Sequence, residues 1–273
     1  MKIKIIVLGL ITIVSLLITN KSQAQANIVM QVFFDNARIN SDSSLTEGGV
    51  TFAAQKNGNY NLPELFTTGA FSGHRLKVEA SSSPSGINVD GTDTDRFEYI
   101  LVDEKSPSAP TFNGKETIQS FEFEILEPAT SSEGVLIAQW WQGPGTTKIA
   151  PPVYLYVVKH ASSSNWVIRL AVRNDDTGSS SSGAPIVVYT GTIAVGAWNK
   201  FELGVIPDWD GTKNGHVIIT VNGVVSGKFY GKVGYKPNPT GGVFSTLRIK
   251  NGLYRPTGEP AMAFAFDDVS VSD

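Results

Sequence analysis

A segment near the C-terminus carries two cations and a phenol at positions that a β-strand would bring to one face. It runs from Arg248 to Tyr254 with the sequence RIKNGLY. Because side chains alternate between the faces of a strand, Arg248, Lys250 and Tyr254 are predicted to point the same way. Cations hold carboxylates or sulfates, and a phenol can donate or accept a proton. This combination suits chemistry on an acidic polymer.

Two other short patches carry polar groups in the same alternating pattern. Arg96 and Glu98 are two residues apart, so a strand puts them on one face, where they are also placed to pair with each other. Gln139 and Trp141 share a face in the same way. An arginine and a glutamine both donate hydrogen bonds to a carboxylate, and an indole offers a flat surface to a sugar ring.

The order and content of these three patches resemble the jelly-roll polysaccharide lyases, which include alginate, heparin, glucuronan and certain ulvan lyases. Alginate lyases of this type carry R-x-E-L, then Q-I-H, then Y-F-K-A-G-x-Y-x-Q. This chain reads RFEY from Arg96, QWW from Gln139 and RIKNGLYR from Arg248. The resemblance rests on the three motifs in this order and covers most of the chain after its N-terminal segment.

The resemblance implies an enzyme, a polysaccharide lyase that cleaves a uronate-containing polymer by β-elimination. Such an enzyme neutralises the uronate carboxylate, removes the proton at C5 and protonates the leaving oxygen at C4. Arg96 and Gln139 match the carboxylate-binding positions of the family. Tyr254 matches its catalytic tyrosine, which acts as general acid and sometimes as base. No cofactor is implied for this chemistry.

The chain departs from the family at one position, where Trp141 stands in place of a histidine and cannot accept a proton. The base is therefore predicted to be Tyr254 itself or another residue. Lys148, in the loop that follows the QWW strand, is the first candidate, because cationic neighbours or desolvation would lower its pKa toward neutrality. His74 is the second candidate and His160 the third.

Further substrate contacts are predicted from residues beside the motifs. Trp141, with Tyr154 and Tyr156 on the next strand, would form a stacking platform for sugar rings. Lys250 would hold an anion, and Arg255 would contact a sulfate or a second uronate through a bidentate fork. The missing histidine, the aromatic face and Arg255 place ulvan, a polymer of rhamnose sulfate and uronic acid, first among the substrates. Glucuronan, alginate and heparin-like chains follow.

Two other functions remain open. A non-catalytic carbohydrate-binding module or lectin on the same fold would keep the aromatic platform and would need neither Tyr254 nor a base. A glycoside hydrolase needs two carboxyl groups about 5–10 Å apart, and Glu122 and Glu124 alternate along one predicted strand. The absence of cysteine excludes thiol catalysis, and the sequence has no P-loop and no zinc-type histidine cluster.

The elements that must position these patches are predicted to be strands. Alternating apolar runs bounded by Gly, Pro, Asn and Ser recur along the chain, and helical periodicity is almost absent. Asn222-Gly223 indicates a hairpin. We predict an all-β, two-sheet antiparallel jelly-roll sandwich of the concanavalin A type. The predicted strands are Ile28–Phe34, Leu76–Ala80, Arg96–Val102, Thr117–Leu126, Gly134–Trp141, Val153–Val158, Trp166–Arg173, Ile186–Thr190, Lys200–Val205, Val217–Val221, Thr246–Lys250 and Ala261–Val271.

A structural calcium ion is implied by a second resemblance. The segment Phe264–Val269 is similar to the last strand of many concanavalin-like sandwiches, in some of which an aspartate binds calcium together with oxygens of the N-terminal strand. Asp267 and Asp35 are the corresponding pair here. Calcium takes about six to eight oxygen ligands, so the remaining ligands would have to come from other groups.

The first 26 residues have the features of a secretory signal peptide. Two lysines precede an apolar run over 5–18, and A-Q-A at 24–26 is a small-x-small cleavage site. Cleavage is predicted after Ala26, with Ala24 as the alternative. Residues 27–273 would then form a single β domain, which we expect outside the cell or in the periplasm, as a monomer.

The chain that remains after cleavage would be acidic. Without the three lysines of residues 1–26 it has 19 basic and 25 acidic side chains, a net charge of −6. It has no basic run of the kind that nucleic-acid-binding proteins carry, and we expect no membrane association once the leader is removed. The predicted partner is an anionic polysaccharide, held by a local cluster of cations. With no cysteine, no disulfide supports the fold, so a large core must stabilise it.

Overall fold

The computed structural model describes residues 28–32, 34, 37–47, 49–57, 61, 63–67, 75–80, 94–105, 114–127, 134–143, 150–159, 165–174, 184–235, 246–257 and 259–273. The signal peptide predicted over 1–26 lies outside these residues. No helix within them is long and apolar enough to cross a membrane. The described residues form strands β1 (Ile28–Val32), β2 (Arg38–Ile39), β3 (Leu45–Glu47), β4 (Val50–Phe52), β5 (Ala54–Asn57), β6 (Glu64–Phe66), β7 (Arg75–Ala80), β8 (Thr94–Lys105), β9 (Thr117–Glu127), β10 (Val135–Gly143), β11 (Val153–Val158), β12 (Trp166–Val172), β13 (Ile186–Ile193), β14 (Asn199–Ile206), β15 (His216–Val221), β16 (Val224–Tyr230), β17 (Thr246–Pro256) and β18 (Met262–Ser272).

The strands form two large antiparallel sheets and one small one. The first large sheet has the order β16-β15-β14-β9-β18-β7-β6, and β1 also pairs with β18. The second has the order β13-β12-β11-β10-β17-β8-β5, and β2, β3 and β4 form the small sheet. Neighbours that are distant in sequence, such as β9 and β18 or β10 and β17, show that the chain crosses repeatedly between the sheets. The predicted all-β jelly-roll sandwich is confirmed.

The inner faces of the two large sheets form one hydrophobic core. Alternate residues of β9, such as Phe121 and Phe123, are fully buried, as are Leu155 and Val157 of β11. Aromatic rings join the sheets across the core: the Phe264 ring of β18 lies 5.2 Å from that of Phe123 and 6.4 Å from the β12 indole, Trp166. The alternation that predicted strands therefore also predicted which side chains are inside.

A buried polar network ties the central strands of the second sheet to the first sheet. Gln119 of β9 donates from Nε2 to Asn251 Oδ1 of β17 at 2.7 Å and accepts from the Trp140 indole nitrogen of β10 at 2.9 Å. Because a buried polar group that loses its partner is costly, this network resists any slip of β10 or β17. The outward-pointing residues of the same two strands are thereby held in register.

The predicted hairpin is present, and several short strands were missed. Asn222 and Gly223 have φ angles of 50° and 78° between β15 and β16, as a tight two-residue turn with positive φ requires. The predicted strands also omit β16, the seven-residue second strand of this hairpin, and β2 to β6, which contain two to four residues each. Runs this short show no periodicity.

Candidate active site

The second sheet presents an open face, which we define as the side of β8, β17, β10, β11 and β12 that points away from the core. Residues directly opposite each other in an antiparallel pair lie on the same face. Tyr254 of β17 is opposite Arg96 of β8, and Lys250 is opposite Gln139 of β10. Gln139 is in turn opposite Tyr154 of β11. The register thus brings the three sequence patches together on one surface.

A buried carboxylate lies at the centre of this surface. Glu98 is only 1% exposed and accepts a hydrogen bond from the Gln139 amide nitrogen. Its other oxygen lies 3.4 Å from Arg96 Nε and 3.9 Å from Lys250 Nζ. Lys250 also donates to Gln55 Oε1 of β5 at 2.7 Å. Sequence reasoning placed Glu98 beside Arg96 but did not foresee that it would join all three motifs.

Lys250 reaches the open face in a different position from the one predicted. It shares the face with Tyr254, as expected, but the residue is only 2% exposed and lies beneath Trp141, with Nζ 5.1 Å from the ring centroid. Its ammonium group already has Gln55 and Glu98 as neighbours. In this conformation the ammonium group is directed at side chains of the site, and the anion contact of Lys250 stays a prediction.

Tyr254 carries the hydroxyl that is best placed for proton transfer. The Arg96 guanidinium lies over its ring, with Cζ 4.2 Å from the ring centroid. Within the described residues its hydroxyl has no hydrogen-bond partner, and the side chain is half-buried. The charged guanidinium therefore lies against the face of the phenol ring. The arrangement gives Tyr254 a free oxygen beside a positive charge.

Trp141 lies back along β10 and does not stand away from the sheet. A β-carbon at Gly143 would overlap the far edge of the indole, so the ring occupies the space that a side chain at position 143 would fill. Arg248, directly opposite on β17, has its guanidinium carbon 5.4 Å from the ring centroid. The indole thus lies beside the cations Arg248 and Lys250, and its use as a platform for sugar rings stays a prediction.

Tyr154 and Tyr156 continue the open face onto β11. Their ring centroids are 5.6 Å apart, with an angle of 34° between the planes. Burial raises the pKa of Tyr154, and the nearby Arg173 opposes that shift, so the group is a neutral phenol at ordinary pH. Arg169 of β12 lies directly opposite Tyr156. Sequence reasoning missed Arg169, although the alternation of β12 would have placed it on this face.

Arg255 is a correction to the sequence analysis, because it lies on the core side of the sheet. It follows Tyr254 directly and so points the opposite way, and it is fully buried. Its guanidinium is 3.2 Å from the buried Asp95 carboxylate and donates to the Pro260 carbonyl. Burial lowers the pKa of Arg255, and the Asp95 charge opposes that shift. A polymer on the open face cannot reach this side chain.

The aspartate proposed as a calcium ligand is paired with a cation. Asp267 Oδ2 lies 3.4 Å from Arg75 Nε, and its other oxygen accepts from the Asp268 backbone amide. Burial raises the pKa of Asp267 to about 6. The described residues contain no group of three or more His, Asp or Glu side chains placed to hold a metal. The calcium site proposed at Asp267 and Asp35 stays a prediction, because Asp35 lies outside the described residues.

The two glutamates considered for glycoside hydrolysis lie on the other sheet. Phe121, Phe123 and Ile125 of β9 point into the core, so the intervening Glu122 and Glu124 point away from it, on the side of the molecule opposite Trp141. Burial raises the pKa of Glu124, and Arg75 opposes the shift. Neither glutamate shares a surface with the three motifs.

Several predicted residues lie outside the described residues. These are Lys148 and His74, the first two candidates for the base, together with His160 and the second calcium aspartate, Asp35. Their roles stay predictions.

Comparison with known proteins finds likeness in structure and none in sequence families. The chain matches no protein-family model and no curated protein sequence. An endo-β-1,4-glucuronan lyase from the fungus Trichoderma reesei superposes with a TM-score of 0.60 at 13% identity, over 90% of this chain and 95% of that one. A doubly substituted alginate lyase Aly36B in complex with alginate trisaccharide gives 0.52 at 11% identity, over 90% and 98%. A doubly substituted family 7 alginate lyase A1-II′ in complex with substrate gives 0.50 at 15% identity, over 76% and 80%. At these identities the likeness establishes the fold.

Proposed function

We propose that this protein is a polysaccharide lyase that cleaves a uronate-containing polymer by β-elimination. The observation that carries the proposal is the Tyr254 hydroxyl, which has no hydrogen-bond partner among the described residues. Its ring lies beneath Arg96, on the same face as the Gln139 amide and Trp141. Solved structures of the same fold support the proposal, because they include a glucuronan lyase and an alginate lyase.

The first task of the site is to neutralise the uronate carboxylate. Arg96, whose side chain is 20% exposed, and Gln139, which is 3% exposed, both lie beside Glu98 and can donate to an anion bound above them. Neutralising the carboxylate makes the C5 proton acidic, because the charge that develops on the enediolate meets fixed donors. Such donors need no rearrangement during the reaction.

The second task is two proton transfers, and we propose that Tyr254 performs both. As phenolate it takes the proton from C5, the C5–H electron pair forms the C4=C5 double bond, and the C4–O4 bond breaks. As phenol it then gives that proton to O4. Arg96, whose guanidinium lies over the ring, holds Tyr254 in position. Lys148 and His74 stay the predicted alternatives for the base.

One group can serve both atoms only if H5 and O4 lie on the same side of the sugar ring. Glucuronate and mannuronate have this arrangement, and their C5 epimers iduronate and guluronate do not. Of the first two we propose glucuronate, because the glucuronan lyase superposes with a TM-score of 0.60 and the two alginate lyases with 0.52 and 0.50. The candidate polymers are then sulfated ulvan and unsulfated glucuronan. The aromatic face and Arg248 support ulvan, whereas the sulfate contact proposed for Arg255 gives no support, because Arg255 is buried.

The test is to incubate the purified protein with ulvan, glucuronan, alginate and heparin and to follow the ultraviolet absorbance of the unsaturated uronate. A rise with a glucuronate polymer supports the proposal, since only elimination creates that double bond. A rise with alginate or heparin alone keeps the lyase and overturns the choice of polymer. No rise with any of the four, together with measured binding to one, overturns the lyase.

A second candidate is a carbohydrate-binding module, which Trp141 favours because it stands where the resembling lyases have histidine. Such a module would use the same aromatic face, Trp141 with Tyr154 and Tyr156, without turnover. Binding without absorbance change in the same experiment would establish it.

We also propose that the protein acts outside the cytoplasm, as its N-terminal segment predicts. We propose in addition that it is a monomer. N-terminal sequencing of the exported protein checks the cleavage site after Ala26, and a sedimentation measurement checks the monomer.

A further inference from the structure

Glu98 occupies a position that the reaction itself does not use. It is buried beneath the open face, so a substrate sugar cannot touch it. It nevertheless contacts Gln139, Arg96 and Lys250, one residue from each of the three motifs. Burying a carboxylate costs free energy unless cations and donors surround it. The contacts with Glu98 therefore also hold the side chains of Gln139, Arg96 and Lys250 in place.

The orientation of the Gln139 side chain follows from this contact. A carboxylate only accepts hydrogen bonds, so the amide nitrogen of Gln139, and not its carbonyl oxygen, must face Glu98. One N–H is used there, and the amide nitrogen has a second. Turning the amide over would set two acceptor oxygens against each other. Glu98 therefore decides which end of Gln139 an incoming carboxylate meets.

The charge of the cluster follows in the same way. Arg96 and Lys250 each carry one positive charge, and Glu98 carries one negative charge at 3.4 and 3.9 Å from them. The cluster keeps one surplus positive charge, which matches the single charge of a uronate carboxylate. Two surplus charges would attract the carboxylate more strongly before reaction, and ground-state attraction of this kind does not speed the chemical step.

We propose that Glu98 is a positioning residue, which orients the Gln139 amide and limits the cluster to one surplus positive charge. The inference rests on the proposed function, because it explains how the same site recognises one uronate carboxylate. Glu98 acts through Gln139, Arg96 and Lys250 and makes no contact with the polymer.

The first test is Glu98→Gln, which keeps the shape and removes the charge. We expect kcat to fall at least about 10-fold, because a donor that has lost its orientation stabilises the transition state less well. We expect KM to fall about threefold or more, because Arg96 and Lys250 then attract the carboxylate unopposed. A purely structural role would lower only the fraction of active molecules and leave KM unchanged. Glu98→Asp keeps the charge and should recover part of kcat.

The matched control is Glu79→Gln on the other sheet. Glu79 also pairs with a lysine, with 2.6 Å between its carboxylate and Lys77 Nζ. It lies on β7, far from the open face, so kcat and KM should stay within about twofold of the unchanged protein. The inference is overturned if Glu98→Gln also leaves both constants within about twofold.

A second measurement does not depend on catalysis. The side-chain amide protons of Gln139, assigned in a nitrogen–proton spectrum by their loss in Gln139→Ala, should include one shifted downfield by its bond to a carboxylate. That shift should disappear in Glu98→Gln and persist in Glu98→Asp. If no polymer is cleaved but the shift behaves as expected, the lyase proposal fails and the positioning role stands. If the shift is unchanged in Glu98→Gln, the positioning role fails.

Discussion

The two faces of the β8–β17 pair use the same chemistry in different ways. On the core face, Asp95 and Arg255 are both fully buried and lie 3.2 Å apart. On the open face, Glu98 lies 3.4 Å from Arg96 and 3.9 Å from Lys250, so neither ion pair is as close as the core pair. The core pair has one charge of each sign and no net charge. The open-face cluster of Arg96, Lys250 and Glu98 has two positive charges and one negative charge.

The difference shows what separates a structural ion pair from a binding site on the same two strands. In the core pair the charges of Asp95 and Arg255 cancel, and Arg255 donates a further hydrogen bond to the Pro260 carbonyl. The open-face cluster has a surplus charge, a free phenol at Tyr254 and an indole at Trp141 above it. Residue type alone does not distinguish the two, but the face of the strand does.

The strongest test of this contrast is Tyr254→Phe on the open face. Removing the hydroxyl removes both proton transfers, so we expect kcat to fall by about 10²–10⁴-fold. Oligosaccharide affinity and the free energy of unfolding should stay nearly unchanged, because the ring and its contact with Arg96 remain. Turnover by absorbance, affinity by calorimetry and stability in urea measure the three quantities. A variant that turns over normally would remove Tyr254 from the chemistry.

The opposite result is expected on the core face for Arg255→Met. Leaving the Asp95 carboxylate buried without its partner should lower the free energy of unfolding by about 3–5 kcal/mol. Turnover per folded molecule should not change. The double variant Asp95→Leu/Arg255→Met should regain part of the stability, since the Asp95 charge is removed and only the buried Glu259 still lacks the Arg255 cation. Lost turnover at full stability would show that Arg255 belongs to the site after all.

A third ion pair, Arg75 with Asp267 on the first sheet, extends the comparison to pH. Burial raises the pKa of Asp267 to about 6 in the folded protein, against about 4 when unfolded. Between these values the unfolded chain loses the proton first, so this group's contribution to stability falls as the pH rises from about 4 to 6.

Asp267→Asn removes this titration. We expect the stability of the unchanged protein relative to the Asn variant to fall by about 2 kcal/mol between pH 4 and pH 7. Urea unfolding at several pH values measures it. A difference that is constant with pH would mean that the carboxyl is ionised throughout.

The smallest effect is expected for Trp141→Ala. Losing one face of a sugar-stacking surface should weaken oligosaccharide binding about 5–10-fold, which is about 1 kcal/mol. The matched control is Trp198→Ala, because Trp198 also lies against an arginine, Arg75, with 4.1 Å from guanidinium carbon to ring centroid, but is not on the open face. Equal weakening by both variants would show that the open face has no special part in binding.

Most of the fold could be predicted because the long strands alternate strictly. The predicted Val153–Val158 coincides with β11, and the predicted Thr117–Leu126 ends one residue short of β9. The predicted strand Thr246–Lys250 ended six residues too early, whereas the alternation from Arg248 to Tyr254, which includes Asn251-Gly252, predicted a longer strand. In the structure β17 continues through Asn251-Gly252, with Gly252 at a φ of 150°.

The sequence predicted which residues belong to the candidate site better than it predicted the contacts between them. Alternation placed Arg96, Gln139 and Tyr254 on their strands, but the contact between Glu98 and Gln139 depends on the pairing of β8, β17 and β10, which one sequence does not reveal. Arg255 was misplaced although alternation already put it opposite Tyr254. The sulfate-binding role predicted for Arg255 required it to share a face with Tyr254, which adjacent residues of a strand do not.

The position of the Trp141 ring bears on where along a polymer the protein cuts. Because Gly143 has no side chain, the ring lies along the strand and does not project from the open face. A polysaccharide can therefore extend past the ring in both directions. We therefore expect cuts inside the polymer, so that the viscosity of a solution falls well before the yield of double bonds is complete. In Gly143→Ala the added β-carbon would push the indole away from the sheet, where it would block one direction of the polysaccharide. The products should then shift toward those released from chain ends.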